Sequence, residues 1–114
     1  MGKSIKITTQ FGKEKVLSFR KGTYLNNGNL FVGAYEIYED GEIEPYCNIT
    51  VNFEEPLLDG MAWVDFNNAD RNLIKAMEEM GWMVFGGCYR QSGFCKYPLY
   101  QFAEDFLEEV DDIR

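Results

Sequence analysis

The sequence predicts an α+β domain in which a mainly antiparallel sheet of five or six strands carries two helices on one side. Three observations support this prediction. Apolar and polar residues alternate through the first half of the chain, Asn-Gly and Asp-Gly pairs separate the alternating segments, and two later segments space their apolar residues three and four apart. The chain has 114 residues, the usual size of one domain, so we expect residues 1–114 to form a single domain.

The strands are predicted from the alternation of side chains with a period of two. The clearest strand is residues 46–53, in which every second side chain is apolar, at Cys47, Ile49, Val51 and Phe53. We expect it to pair with the preceding strand across the Asp40-Gly41 turn. The predicted strands cover residues 5–8, 16–19, 30–38, 46–53 and 61–66.

The first helix is predicted from four apolar residues that recur at helical spacing, Leu73, Ile74, Met77 and Met80. Asn67 or Asn68 is expected to cap its beginning, and Gly81 is expected to end it. Residues 82–85 then predict a buried strand, and a turn-rich stretch reaches Tyr97. Gly86 and Gly87 at its start are expected to allow a bulge or close packing.

The second helix is predicted to begin at Pro98, because proline suits the first turn of a helix. Its apolar stripe comprises Leu99, Phe102, Ala103, Phe106, Leu107 and Val110. Acidic residues then crowd the end of this helix. Negative charge there opposes the helix dipole and destabilises the helix by about 0.3 to 1 kcal/mol per charge. Charges that served only solubility could lie elsewhere on the surface without this cost.

Charge is divided unevenly along the chain. Residues 1–35 hold six Lys and Arg against one Glu, whereas residues 36–114 hold eighteen Asp and Glu against five Lys and Arg. The net charge is −8, so the protein is expected to attract a basic surface and to bind nucleic acid without high affinity. The lysines of the first hairpin are expected to balance the acidic remainder or to contact an acidic region of the same partner.

Composition argues against most catalytic and metal chemistry. The chain has no histidine, which is the commonest proton shuttle and metal ligand, and a zinc site would need ligands beyond Cys47, Cys88 and Cys95. No nucleophile and base set is recognisable, so we expect a non-enzymatic protein without cofactor or metal. An odd number of cysteines, no signal peptide and no membrane span predict a cytoplasmic protein, and the oligomeric state stays open.

Two acidic groups are the predicted partner-binding residues. The first surrounds the Asp40-Gly41 turn and the second lies at the end of the last predicted helix. Solvation of the surface is the alternative explanation for both groups. The predicted residues are Glu36, Glu39, Asp40, Glu42 and Glu44 in the first group, and Glu104, Asp105, Glu108, Glu109, Asp111 and Asp112 in the second.

Three segments carry a resemblance: Asn27-Gly28-Asn29-Leu30, Asn48-Ile49-Thr50-Val51-Asn52 and Ser92-Gly93-Phe94-Cys95-Lys96-Tyr97-Pro98-Leu99-Tyr100-Gln101-Phe102. In these segments the chain resembles a family of small acidic proteins from mobile elements of Gram-positive bacteria. Members of that gene neighbourhood look like anti-CRISPR proteins. The resemblance implies an inhibitor of the RNA-guided nuclease of a type II system and implies no catalytic residue.

The expected function is therefore non-catalytic inhibition of a type II CRISPR effector nuclease, by docking of carboxylates in its basic guide-RNA or DNA channel. An alternative is a small adaptor of plasmid maintenance or conjugation, which would bind through exposed aromatic residues such as Tyr89, Phe94 and Tyr100. A third hypothesis is an enzyme that uses carboxylate or cysteine chemistry.

Overall fold

Two mainly antiparallel sheets and two helices make up the structure, a computed structural model that describes residues 3–113. The elements in chain order are β1 Ser4–Thr8, β2 Glu14–Thr23, β3 Leu30–Ile37, β4 Ile43–Asn48, β5 Thr50–Val51, β6 Met61–Val64, α1 Arg71–Glu79, β7 Met83–Ser92, β8 Cys95–Phe102, α2 Glu104–Glu109 and β9 Asp111–Asp112. The predicted mixture of antiparallel sheet and two helices is confirmed. The prediction of five or six strands is wrong, because the described residues form nine strands in two sheets.

The first sheet has the order β1-β2-β3-β4, and β9 joins it by pairing in parallel with β2. The second sheet has the order β5-β6-β8-β7, so β7 is one of its edges. The predicted first hairpin and the predicted pairing of the third and fourth strands are both confirmed.

The predicted strand 46–53 divides between the two sheets at Ile49. The Ile49 amide donates to the carbonyl of Val32 at 2.9 Å. The hydroxyl of the next residue, Thr50, accepts from the Val32 amide at 3.1 Å. The Thr50 hydroxyl also shares a 3.0 Å hydrogen bond with the hydroxyl of Tyr24. These bonds satisfy buried polar groups where the chain leaves one sheet for the other, so one run of alternating residues supplies two strands.

Apolar side chains from both sheets and both helices form one continuous core. Aromatic rings dominate its centre: Phe19 of β2 lies edge-on to Phe106 of α2 with ring centroids 5.4 Å apart, and Trp82 stacks on Phe106 at 5.2 Å. Helix α1 contributes Leu73, Ile74 and Met77, three of the four residues whose spacing predicted it. The core therefore holds the helices against the sheets.

The first helix begins later than predicted. Its cap is Asp70 rather than Asn67 or Asn68, and the Asp70 carboxylate accepts from the amides of Asn72 and Leu73 at 3.0 and 3.2 Å. The positive φ of 77° at Gly81 follows the end of the helix, as predicted.

Asp70 also joins distant parts of the chain. Its buried carboxylate accepts from the amide of Gln10, in the β1–β2 turn, at 3.2 Å and from the hydroxyl of Tyr46, on β4, at 2.7 Å. The carboxylate therefore holds α1 against the β1–β2 turn and strand β4 of the first sheet.

The segment from Trp82 to Val110 departs most from the prediction. Trp82 and Met83 are buried as predicted, but Val84 and Phe85 are exposed because they extend along the uncovered edge of the second sheet. The expected glycine bulge is confirmed, since the β7–β8 register shifts between Phe85 and Tyr89 and Gly87 has a φ of 92°.

Pro98 does not begin a helix. It lies within β8, which pairs with both β6 and β7. The predicted apolar stripe combines buried positions of this strand with those of α2, which starts only at Glu104. Helix α1 has nine residues and α2 six, and neither described helix has the length and apolar sequence needed to cross a membrane.

We predict that Asp70→Ala lowers the free energy of unfolding by about 2 to 4 kcal/mol, because the helix loses its cap and the Tyr46 hydroxyl and Gln10 amide lose a buried acceptor. Urea denaturation measures this change. The control variant Asn68→Ala should change it by less than about 0.5 kcal/mol. Equal costs for the two variants would contradict the assignment of Asp70 as the cap.

Candidate functional site

The first acidic group lies on an ordered hairpin turn between β3 and β4. The amide of Tyr38 donates to the carbonyl of Glu42 at 2.8 Å, and the Asp40 carboxylate accepts from the Glu42 amide at 2.9 Å. Gly41 adopts a φ of 89°, which a residue with a Cβ rarely adopts. We call Glu39, Asp40, Glu42 and Glu44 the acidic hairpin tip. Its backbone is fixed, so its four carboxylates project from a defined frame.

Glu36 belongs to the predicted group but not to the tip. Its carboxylate lies 2.8 Å from the ammonium of Lys15, and both side chains are mostly buried. Across the strand pair Glu36 faces Glu44 directly, and Lys15 compensates the charge of Glu36 alone. Within residues 3–113, none of the four tip carboxylates forms an ion pair.

Exposed apolar side chains flank the tip carboxylates. Tyr38 is 40 % exposed and Ile43 is 43 % exposed. The Tyr38 hydroxyl donates to the Glu44 carboxylate at 3.1 Å, and this bond, followed by burial and the nearby Glu36, raises the pKa of Tyr38 to about 12. Protein interfaces combine apolar and charged groups, so exposed Tyr and Ile beside the carboxylates suit a binding surface.

The second acidic group lies on α2 and β9, and the structure reverses part of the sequence interpretation. Glu104 and Asp105 occupy the first turn of α2 rather than the end of a long helix. Negative charge stabilises a helix at that end, so the predicted dipole cost does not apply to these two residues. Glu109 lies 2.7 Å from the ammonium of Lys3.

Lys21 of β2 compensates the carboxyl end of α2. Its ammonium donates to the carbonyls of Leu107 and Val110 at 2.6 and 2.8 Å and lies 3.7 Å from the carboxylate of Asp112. A cation in this position satisfies two terminal carbonyls and interacts favourably with the helix dipole. The lysines of the first hairpin thus partly neutralise the second acidic group.

The two acidic groups do not form one surface. Strand β3 pairs with one edge of β2 and β9 pairs with the other, with Glu36 opposite Leu17 and Asp111 opposite Arg20. Four carboxylates of the second group have a structural role or a basic partner, namely Glu104, Asp105, Glu109 and Asp112. Glu108 and Asp111 of that group form no ion pair with a described residue.

The cysteines were the sequence's candidate nucleophiles. Cys47 is half-buried, and burial raises the pKa of its thiol, which lowers the thiolate fraction at neutral pH. Burial, followed by the hydrogen bond to Asp70, also raises the pKa of the neighbouring Tyr46. Cys88 is exposed and Cys95 is half-buried, and both are free thiols.

The exposed aromatic residues proposed for the adaptor hypothesis lie on the β7–β8 hairpin. Tyr89 is 60 % exposed and Phe94, at the tip of the hairpin, is fully exposed. Tyr100 is buried, at 3 %, because it lies on the covered strand β8 and donates its hydroxyl to Glu78 of α1 at 2.8 Å. The expectation that Tyr100 is exposed is therefore wrong.

A groove along α1 contains residues that the sequence analysis did not assign. It encloses about 390 Å³ and is lined by Phe66, Arg71, Ile74, Lys75 and Glu78. The sequence feature that could have indicated this groove is the order of charges along α1, which has a cation in its first turn and acidic residues in its last turn. This order opposes the helix dipole.

We predict that the Tyr38 phenol deprotonates near pH 12, above the ordinary value of 10.0. The stabilising contribution of its bond to Glu44 should be complete below pH 10 and lost as the pH rises through the folded pKa. Absorbance titration of the protein minus that of Tyr38→Phe isolates this group. Glu44→Gln should lower the pKa and Glu42→Gln should leave it unchanged; no effect of Glu44→Gln would contradict the described tip geometry.

Comparison with known proteins gives one result. No curated protein and no solved structure gives a significant match to the chain. A family model described as a domain of unknown function, DUF4313, matches residues 19–113, which include both acidic groups, both helices and half of β2. The chain belongs to the DUF4313 family.

Proposed function

We propose that the protein is a non-catalytic inhibitor that binds a basic protein surface through the acidic hairpin tip. The observation that carries this proposal is the contrast between the acidic hairpin tip and the carboxylates that have a basic partner. The lysines of the first hairpin approach Glu36, Glu109 and Asp112, whereas no described cation pairs with Glu39, Asp40, Glu42 or Glu44.

Three features of the tip support its use as a binding surface. Its carboxylates are exposed, its turn is fixed by backbone hydrogen bonds, and Tyr38 and Ile43 offer apolar contact beside the charge. A turn held by hydrogen bonds loses less backbone freedom on binding than a flexible loop does. Complementary charge then accelerates association and orients the partner.

The proposed partner is the basic nucleic-acid channel of a type II CRISPR effector nuclease. This choice follows from the resemblance of residues 27–30, 48–52 and 92–102 and from the chemistry of such a channel, which is lined with phosphate-binding cations. A carboxylate tip inserted there would compete with guide RNA or DNA for the same Lys and Arg side chains. The inhibitor would act without making or breaking covalent bonds.

We predict that replacing the four tip carboxylates by Gln weakens binding to a purified type II effector nuclease by at least about tenfold, or 1.4 kcal/mol, because the complex loses its fixed negative charge. Calorimetry measures the affinity and a DNA cleavage assay measures inhibition. Binding by the unaltered protein should also weaken as ionic strength rises.

The control is a variant with Glu104→Gln, Asp105→Gln and Glu108→Gln, which removes charge from α2. It should retain binding and inhibition. The tip is rejected as the binding surface if a folded tip variant inhibits as well as the unaltered protein. It is also rejected if the α2 variant loses inhibition while the tip variant keeps it.

A small adaptor of plasmid maintenance or conjugation is the second candidate function. The exposure of Tyr89 and Phe94 supports it, because the two aromatic side chains stand on a hairpin that has no acidic residue between Met83 and Phe102. Aromatic residues are enriched in protein interfaces and supply much of their binding energy.

If the protein is an adaptor, Tyr89→Ala with Phe94→Ala should abolish its complex with a plasmid-encoded partner, and charge removal at the tip should not. Co-purification from cells that carry the mobile element compares the two variants. The opposite pattern would favour the inhibitor.

A further inference from the structure

The groove along α1 holds two cations that no described carboxylate compensates. Arg71 and Lys75 lie one helical turn apart and line the groove, and neither forms an ion pair within residues 3–113. The Arg71 side chain is partly oriented, since its Nε donates to the carbonyl of Phe66 at 3.4 Å. Glu78, which also lines the groove, accepts the hydroxyl of Tyr100 at 2.8 Å.

The position of Arg71 does not serve the helix. Arg71 lies in the first turn of α1, where positive charge opposes the helix dipole, and Lys75 is a like charge at the i+4 position. Lys75 in turn has Glu78 and Glu79 three and four residues later, a spacing that stabilises a helix. Arg71 is therefore the cation whose place helix stability does not explain.

Aromatic rings continue from the groove across the second sheet. Phe66 lies 5.9 Å from Tyr100, Tyr100 lies 5.8 Å from Phe85, and Phe85 lies 5.2 Å from Tyr89, measured between ring centroids. The half-buried Phe66 gives the groove an apolar surface beside its two cations. An aromatic ring next to cations suits a planar ring that bears an anionic group, because the rings can stack while the cations contact the anion.

We infer that this groove binds a small planar heteroaromatic ring carrying a phosphate, the chemistry of a nucleoside monophosphate. Arg71 and Lys75 supply donors for a phosphate, which outnumber the single carboxylate of Glu78 in the groove, and the half-buried Phe66 provides an apolar contact for the ring. A volume of about 390 Å³ lies within the range of small-molecule sites. The net charge of −8 disfavours a polynucleotide, whose many phosphates two cations cannot compensate. This site is independent of the acidic hairpin tip.

The test is calorimetric titration of the full-length protein with adenosine monophosphate. Adenosine, inorganic phosphate, indole-3-acetate and a deoxythymidine oligonucleotide are titrated in parallel. We expect saturable binding of the mononucleotide that is at least about tenfold tighter than that of adenosine, phosphate or the aromatic carboxylate. Tighter binding of the oligonucleotide or of the carboxylate, or no saturable binding of the mononucleotide, would overturn the inference.

Matched variants separate the groove from overall charge. Arg71→Gln with Lys75→Gln should weaken mononucleotide binding by at least about tenfold, because both phosphate contacts are lost. Lys13→Gln with Lys96→Gln removes two other cations that form no ion pair with a described residue, and it should leave binding unchanged. Equal losses in the two variants would overturn the inference.

Folding of the groove variant is checked separately. Because Arg71 opposes the helix dipole, Arg71→Gln with Lys75→Gln should have a melting temperature no lower than that of the unaltered protein. A lower melting temperature would contradict the argument that these cations serve the ligand and not the fold.

The role of the aromatic ring is tested with Phe66→Leu, which keeps both cations. This variant should weaken binding of the mononucleotide while leaving phosphate binding unchanged. Equal effects on both ligands would contradict the role of the ring.

Discussion

The buried carboxylate of Asp70 is the interaction on which the relative placement of the parts depends. It caps α1, accepts from the turn that joins β1 to β2, and accepts from Tyr46 on β4. Strand β4 continues into the hairpin that carries the acidic tip, and α1 carries the cations of the groove. The hydrogen-bonded carboxylate of Asp70 therefore holds the elements that carry both proposed binding surfaces in place. Buried polar groups rigidify a fold in this way when all their hydrogen bonds are satisfied.

Internal pairing of charge distinguishes the acidic hairpin tip from Glu36 and from part of the second acidic group. Lys3 precedes β1, Lys15 and Lys21 lie on β2, and each approaches a carboxylate of the later part of the chain. The second acidic group is thereby tied to the fold at the carboxyl end of α2. The uncompensated charge of the tip can act on a partner with less competition from the protein's own cations.

The sequence predicted the first sheet well because its strands alternate strictly and its turns contain Asp-Gly or Asn-Gly pairs. It could not show that the run through Ile49 leaves one sheet for another, because the alternation of apolar residues continues without a break through Val51 and Phe53. The stripe that follows Pro98 also matched helical spacing by chance, because buried positions of β8 and α2 adjoin along the chain. The ion pairs join residues far apart in sequence, and no local pattern encodes them.

Carboxyl labelling of a complex with the effector nuclease tests the central claim most directly. A carbodiimide modifies exposed carboxylates, and mass spectrometry compares each site in the free and bound protein. The account predicts protection of Glu39, Asp40, Glu42 and Glu44 with unchanged labelling of Glu108. Protection confined to α2 and β9, with the tip labelled as in the free protein, would contradict it.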